Sequence, residues 1–387
     1  MTRAVAGVAV GQTHHASRRS DVSMPEMIRE AIDRCLDSRG LRIKDVDAFV
    51  LGNMEMFEGI NYVEQWMSDA LGLAGKQVWK LNNGGTVGAS TAITAYNLIA
   101  SGYHDRVLCV GFEKQSEGST QSAITTVGDP IWERAVMAGA IGNFAAMTSV
   151  YLKESGATAE QAAKVAVKAR RNACNNEYAH LKLPNITVQE VLDSDMLAYP
   201  VRKLDMCPSS DGAAAVLFAA EDDAKKLSPR PAWVHAAVVA HDQQYMGDSP
   251  KRLAEMRSLI EARTKAYKIA GITDPVKELD VAEVYEPASY AELAMYECLG
   301  FCPKGGGGAH IDAGVSEMDG ELPVNPSGGV LSTNPVGATA LIRVAEATLQ
   351  TMNEAEGHQV PNVRRALATG YGGNAWTDLM ILGTERP

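Results

Sequence analysis

A glycine-rich turn that opens a helix occurs twice in this chain, once in each half. In the first half, Val78–Leu81 reads as a strand, Asn82-Asn83-Gly84-Gly85 as a tight turn and Thr86–Gly102 as an Ala-rich helix. Arg106–Glu113 then reads as a strand, which makes a βαβ unit with a buried parallel strand at each end. In the second half, Asp280–Tyr285 reads as a strand and Tyr290–Leu299 as a helix. There Ser327–Asn334 is the glycine-rich turn, Ala338–Met352 the helix, and Arg365–Ala368 and Trp376–Leu382 the closing strands. A glycine before one helix is ordinary turn chemistry. The same device at the same place in both halves points to a duplicated α/β unit. It would aim two helix N-termini, with their positive dipole ends, at one shared crevice.

At 387 residues the chain exceeds the size at which a single core stops growing. Two core-bearing halves are expected, 1–225 and 226–387, with a helical and loop-bearing insertion at about 118–204. Amphipathic stretches such as Ala159–Cys174, with few strand signals, mark that insertion. A net charge of −11 argues against a nucleic-acid surface, which needs clustered Lys and Arg. It leaves room for CoA, whose phosphates need only a local basic patch or a helix N-terminus. The six cysteines are scattered, and Cys298 and Cys302 have no second close pair beside them. Neither a metal site nor a disulfide framework is therefore expected. The N-terminal apolar run is too short for a signal peptide, and no apolar stretch approaches the roughly 20 residues of a membrane span. A cytoplasmic protein is the expectation.

Several blocks of text go further. Ser210-Asp211-Gly212-Ala213-Ala214-Ala215 resembles the SDGAAA signature of thiolases. Asn325-Pro326-Ser327-Gly328-Gly329, followed by Thr333-Asn334-Pro335-Val336-Gly337-Ala338-Thr339, resembles their NxxGG and GHPxGATG blocks. Leu299-Gly300-Phe301-Cys302-Pro303-Lys304-Gly305 resembles the LGFCxxG of sterol-carrier-protein-type thiolases. From Ala4 to Leu382 the chain is similar to the thiolase superfamily. The resemblance implies a five-layer αβαβα fold of two similar βαβαβαββ halves and a tight homodimer. It also implies a CoA thioester as substrate, with no covalently bound cofactor.

The departures from that pattern fall on the chemistry. The nucleophilic cysteine of the family's CxxG corresponds to Gly85, which has no side chain to carry an acyl group. The histidine of GHP corresponds to Asn334, and the C-terminal CxGG reads Gly370-Tyr371-Gly372-Gly373. The HDCF-like segment reads Tyr285-Glu286-Pro287-Ala288, with tyrosine in place of histidine. Ordinary thiolysis is not expected. Retro-aldol cleavage of a 3-hydroxyacyl-CoA needs no nucleophile, only proton transfer and donors that hold a thioester enolate. By resemblance to the thiolase-like aldolases of steroid side-chain degradation, the expected reaction releases an acyl-CoA and an aldehyde or ketone. Those aldolases work beside a small OB-fold and zinc-ribbon subunit, so a heterotetramer is implied. Thr333-Asn334-Pro335 looks more like the subgroup that cleaves aryl-ketoacyl-CoA thioesters beside a zinc-ribbon partner, which leaves the acyl chain open.

Tyr285 is the expected general acid–base, its phenol lowered from about 10 toward neutrality; the plainer reading is a core tyrosine ending a strand. Glu286 is the second candidate, or a paired structural acid. Tyr290, about one helical turn on, points into the crevice or packs. Asn334 donates its amide to the thioester oxygen, or serves as a helix-entry residue. Gly84, Gly85, Ser327, Gly328 and Gly329 offer backbone N–H groups or close approach to CoA, the glycines otherwise being simple turn residues, and Tyr371 closes the pocket or merely fills it. Cys207 and Cys302 lie in segments that read as structural, and the histidines have no nucleophile near them in sequence. Two alternatives stay open: a thiolase with a displaced nucleophile, and a non-catalytic acyl-CoA-binding subunit of a complex.

Overall fold

Short apolar runs alternating with Ala-rich helices fold into a mixed sheet. The computed structural model describes residues 3–135, 137–243, 252–373 and 375–387. The strands are β1 (Val5–Gln12), β2 (Ala48–Gly52), β3 (Gln77–Leu81), β4 (Arg106–Lys114), β5 (Met196–Ala198), β6 (Val201–Arg202), β7 (Asp211–Ala220), β8 (Ala232–His241), β9 (Val281–Glu283), β10 (Arg365–Tyr371) and β11 (Trp376–Gly383). Strands β5 and β6 form a separate hairpin; the rest run in the order β3-β2-β4-β7-β1-β8-β11-β10-β9. Read outward from the centre, β8, β11, β10 and β9 repeat the places of β1, β7, β4 and β2. The counterpart of β3 is a single parallel bridge between Ala282 and Val324. The two arms meet over the pairs Ala6–Trp233 and Gly7–Ala232.

One sequence expectation needs correction here. Strand β3 is not a buried end of a βαβ unit but a sheet edge whose residues are all at least partly exposed. Both β3 and β4 pair in parallel with β2, which lies between them.

Strand β7 shows why the sheet carries helices on both faces. Ala213, Ala215, Leu217 and Ala219 enter one core, and Ala214, Val216, Phe218 and Ala220 the other. A strand apolar at every position must be covered twice. The Met24–Asp37 helix, started by a capping box at Ser23 and Glu26, covers β1 and β7. The Arg257–Ala270 helix covers β8 and β11. Between the two arms lie the helices Val87–Ala100 and Val336–Met352, each packed on strands of both. This gives five layers, α, β, α, β, α. Val336–Met352 buries every residue except Leu349. The two central helices cross at Gly88, where a Cβ would lie 2.4 Å from the Leu341 nitrogen. Residues 118–204 hold the helices Thr120–Thr125, Gly139–Ser155, Ala159–Asn172 and Val188–Asp193 and the β5–β6 hairpin. Among the described residues no helix is long and apolar enough to cross a membrane.

Candidate active site

Where the first glycine turn meets the start of the Val336–Met352 helix, the chain leaves a cleft of about 800 Å³. Gly84 and Gly85 line it from the turn, Tyr285 from the segment after β9, Asn334 from the helix entry and Tyr371 from the end of β10. The structure therefore brings five of the expected site residues to one place. Met54, Ile124, Phe144 and Leu183 make much of the wall apolar, and exposed Lys203 also lines it.

Gly85 sits tightly against its surroundings. A Cβ built there would lie 2.6 Å from the Tyr371 carbonyl oxygen and 3.4 Å from the Tyr285 hydroxyl. Backbone cannot yield as a flexible side chain would, so the position excludes any side chain in this arrangement. The phenol of Tyr285 reaches into the space a nucleophile would need.

Tyr285 is buried, and its backbone N–H donates to Thr369 Oγ1 at 2.8 Å, tying it to β10. Its ring lies 6.1 Å from that of Tyr371, tilted by 31°. Burial pushes the phenol well above its ordinary value, the neighbouring Cys207 adds to this, and the hydrogen bond it shares with Thr339 works against it. Burial thus works against the expected lowering toward neutrality, and among the described residues no Lys or Arg side chain donates a hydrogen bond to the ring oxygen. Tyr285 is a proton donor in the resting protein, and burial keeps Tyr371 in the same state.

Asn334 is fixed from several sides. Its Nδ2 donates to Cys207 Sγ at 3.2 Å, its Oδ1 accepts from Thr339 at 2.8 Å, and its backbone N–H donates to Ser210 Oγ at 3.2 Å. One amide N–H remains to face the cleft. Ser210 Oγ in turn lies 2.9 Å from His180 Nδ1. Cys207 also lines the cleft, although its segment reads as structural. Burial first, then the charge of Glu286, push its thiol up to about 12, against Arg170 and Asn334.

The other five expected residues lie elsewhere. Glu286 is fully buried, accepting from Asn325 Nδ2 at 2.6 Å and from the Leu331 N–H at 3.1 Å; burial, then Glu292, push it up to about 8. Tyr290 packs into a separate small crevice with Phe144, Met147 and Tyr151. Ser327 donates to Glu283 at 2.8 Å and accepts from Arg343 at 2.8 Å. Gly328 packs on Ala173, and Gly329 on Glu286. Apart from Tyr290, these residues build the core around the second turn, which faces the buried acids after β9 rather than the opening.

Sequence reasoning missed Arg170, Asn83, Gln115 and Trp376 on the cleft wall. Among the described residues, Arg170 Nε and Nη1, Asn83 Oδ1 and Gln115 Nε2 are buried polar atoms with no partner. For Arg170 a signal existed. Lys168, Arg170 and Asn172 fall among the buried positions of an otherwise Ala- and Val-rich helix face. No carboxylate or histidine is among the lining residues, so the described wall is cationic. Among the described residues no group of three His, Cys, Asp or Glu side chains is placed to hold a metal ion.

Fold and cleft define a five-layer α/β scaffold with a glycine turn at the cleft that admits no side chain at Gly85. Residues 5–222 match the family model described as thiolase, N-terminal domain, and residues 239–384 the one described as thiolase C-terminal domain-like. The chain belongs to the thiolase family. It is 32% identical to an acetyl-CoA acetyltransferase of Methanothermobacter thermautotrophicus, over 97% of this chain and 98% of that one. It is 30% identical to sterol carrier protein 2 of Gallus gallus, over 99% of this chain and 72% of that one. A solved structure described as an Ltp2-ChsH2(DUF35) aldolase superimposes with a TM-score of 0.86, at 24% identity and 98% coverage of each chain.

Proposed function

We propose that this cleft catalyses retro-aldol cleavage of a 3-hydroxyacyl-CoA to an acyl-CoA and an aldehyde or ketone, with no acyl-enzyme. The observation that carries the reading is the filled space at Gly85, occupied by the Tyr371 carbonyl and the Tyr285 hydroxyl. In the step, the Cα–Cβ bond breaks and its electron pair passes into the thioester enolate. The hydroxyl oxygen becomes the carbonyl of the departing product and releases its proton, and Cα takes one up. A neutral phenol suits this exchange. Tyr285 gives its proton to Cα, recovers one from the hydroxyl, and ends as it began. The free amide N–H of Asn334 and the backbone at Gly84 and Gly85 hold the enolate oxygen. The apolar wall suits a bulky acyl group such as a steroid side chain. The reading includes a homodimer and a small OB-fold and zinc-ribbon partner, supported by the aldolase complex that shares the fold.

The test is dependence on free CoA. A retro-aldol reaction consumes none, so a 3-hydroxyacyl-CoA should yield acyl-CoA and carbonyl product in its absence. Cleavage of a 3-ketoacyl-CoA that requires added CoA would overturn the proposal. That result would favour the second reading, a thiolase acting through Cys207, for which the place of its sulfur beside Asn334 speaks.

A further inference from the structure

Among the described residues four lysine or arginine side chains are buried, and three of them have a carboxylate, Lys114 that of Glu117. Lys168 is paired with Glu292 and Arg343 with Glu283. Arg170 differs. It is wholly buried, and its Nη2 donates to the backbone oxygens of Leu204 at 3.2 Å and Met206 at 3.1 Å. Its Nε and Nη1 have no partner. Of the three acidic groups whose charge it feels, the Cys207 thiol is kept protonated by burial, and the two carboxylates are engaged elsewhere. Asp205 accepts from Ser289 at 2.7 Å and from the Arg202 N–H at 3.0 Å, and Glu286 accepts from Asn325 and Leu331. A buried guanidinium without a counter-ion is costly, because desolvation is not repaid by a partner charge. Packing alone would be served by an apolar residue. Arg170 lines the cleft, beside Leu204, Met206 and Cys207.

We propose that Arg170 receives a carboxylate carried on the acyl group, so that the substrate is the CoA thioester of a bulky dicarboxylic acid. A carboxylate has the planar, two-oxygen shape that guanidinium N–H groups bind best. Phosphate is the other anion available, but it belongs to the CoA end, and exposed Lys203 is the cation placed to meet it. The inference rests on the acyl-CoA reading of the cleft and adds to it the chemistry of the acyl chain.

The experiment uses the full chain and two probes that carry no 3-hydroxyl group, so that cleavage plays no part. These are 3-phenylglutaryl-CoA and its methyl ester, compared by calorimetric titration. The carboxylate should bind about 10- to 100-fold more tightly than the ester, the range expected of a charged hydrogen bond in a dry site. Arg170→Met should remove that preference while leaving ester affinity unchanged; Arg170→Lys should keep part of it. Equal binding of acid and ester to the unaltered protein would overturn the inference, whatever the variants do. So would a preference that survives in Arg170→Met. Tight, Arg170-dependent binding of the acid, together with no cleavage of its 3-hydroxy analogue in the unaltered protein, supports this inference and rejects the lyase reading.

Discussion

The two glycine turns share a sequence design and perform opposite tasks. At the first, Gly84 has φ +78°, faces open space and edges the cleft. At the second, Gly328 and Gly329 have φ +97° and +63°, and a Cβ on either would collide at once. Around the second turn lie the pairs Arg343–Glu283, Lys168–Glu292 and His358–Glu346, all buried. Among the described residues, the lining of the first-turn cleft includes no carboxylate. A glycine-rich turn thus specifies a backbone shape, and its surroundings decide whether that shape holds a ligand or a core. In this protein the first half keeps the opening and the second keeps the keystone.

Substitution of one glycine on each side is the hardest test of that contrast. In Gly329→Ala the added carbon meets Glu286 Oε1 at 2.1 Å and Asn325 Nδ2 at 2.7 Å, on a backbone at positive φ. Strain and a broken polar network together should cost more than about 4 kcal/mol, near the exceptional end for one substitution. Gly84→Ala meets nothing within 4 Å and carries only the backbone penalty of about 1 to 2 kcal/mol. Urea denaturation of both variants measures the difference. Equal costs would break the comparison.

The second effect belongs to the open side. Tyr285→Phe keeps ring volume and packing while removing the hydroxyl beside Gly85. Turnover of a 3-hydroxyacyl-CoA should fall by about 10²- to 10⁴-fold, in kcat rather than KM, with the melting temperature unchanged. Because the phenol lies above its ordinary value, activity should not be lost as pH rises from 8 toward about 10 through Tyr285 ionisation. Near-normal turnover in the variant would remove Tyr285 from the mechanism.

The closed side should show its own pH signature. Burial alone would depress His358, but Glu346, 2.7 Å from its Nε2, outweighs it and raises it above 6.5. Burial likewise opposes Glu346, yet His358 and Gln12 bring it down to about 2, from 4.5. A raised histidine contributes stability that is complete below about 6.5 and is lost as pH rises through its folded value. A depressed acid contributes stability present above about 4.5 and lost as pH falls toward about 2. The pair therefore stabilises most between about pH 4.5 and 6.5. His358→Gln should flatten the alkaline side of the stability profile, leaving turnover at the cleft unaffected. A profile unchanged by the substitution would show that the pair carries no such charge.

Most of the architecture was legible because apolar period and glycine punctuation are local signals. The strands and helices on either side of Gly84 and Gly329 lie within a few residues of where the sequence places them. The edge position of β3 was not legible, since Gln77–Leu81 has a strand's composition wherever it sits. At the site, family text brought Gly85, Tyr285, Asn334 and Tyr371 into view. Ser327 and Glu286 were indistinguishable from ligand-binding residues, because polar residues in a core have partners only the fold supplies. Arg170 was missed for the converse reason. Its sequence neighbours are helix formers, and only the fold shows that Leu204 and Met206 meet its Nη2 while no carboxylate pairs with the rest of the guanidinium among the described residues.

The smallest expected effect is the most decisive between readings of the cleft. Cys207 stands beside Asn334 as a nucleophile would stand beside an activating base. Yet an amide takes no proton, and its N–H can only donate to the sulfur. With the thiol pushed up to about 12, roughly one molecule in 10⁵ is thiolate at pH 7. The Cys207→Ala variant should thus retain turnover within about threefold, and its cost in stability should stay near 1 kcal/mol. Alkylation of Cys207 by iodoacetamide should be slow at pH 7 and still rise tenfold per unit at pH 10, where an ordinary thiol has levelled off. Loss of activity in the alanine variant, or an acyl adduct on Cys207 after incubation with a 3-ketoacyl-CoA, would restore a nucleophile to the open side. The Gly85 position would then be a displacement of thiolase chemistry by one neighbouring residue rather than its replacement by proton transfer.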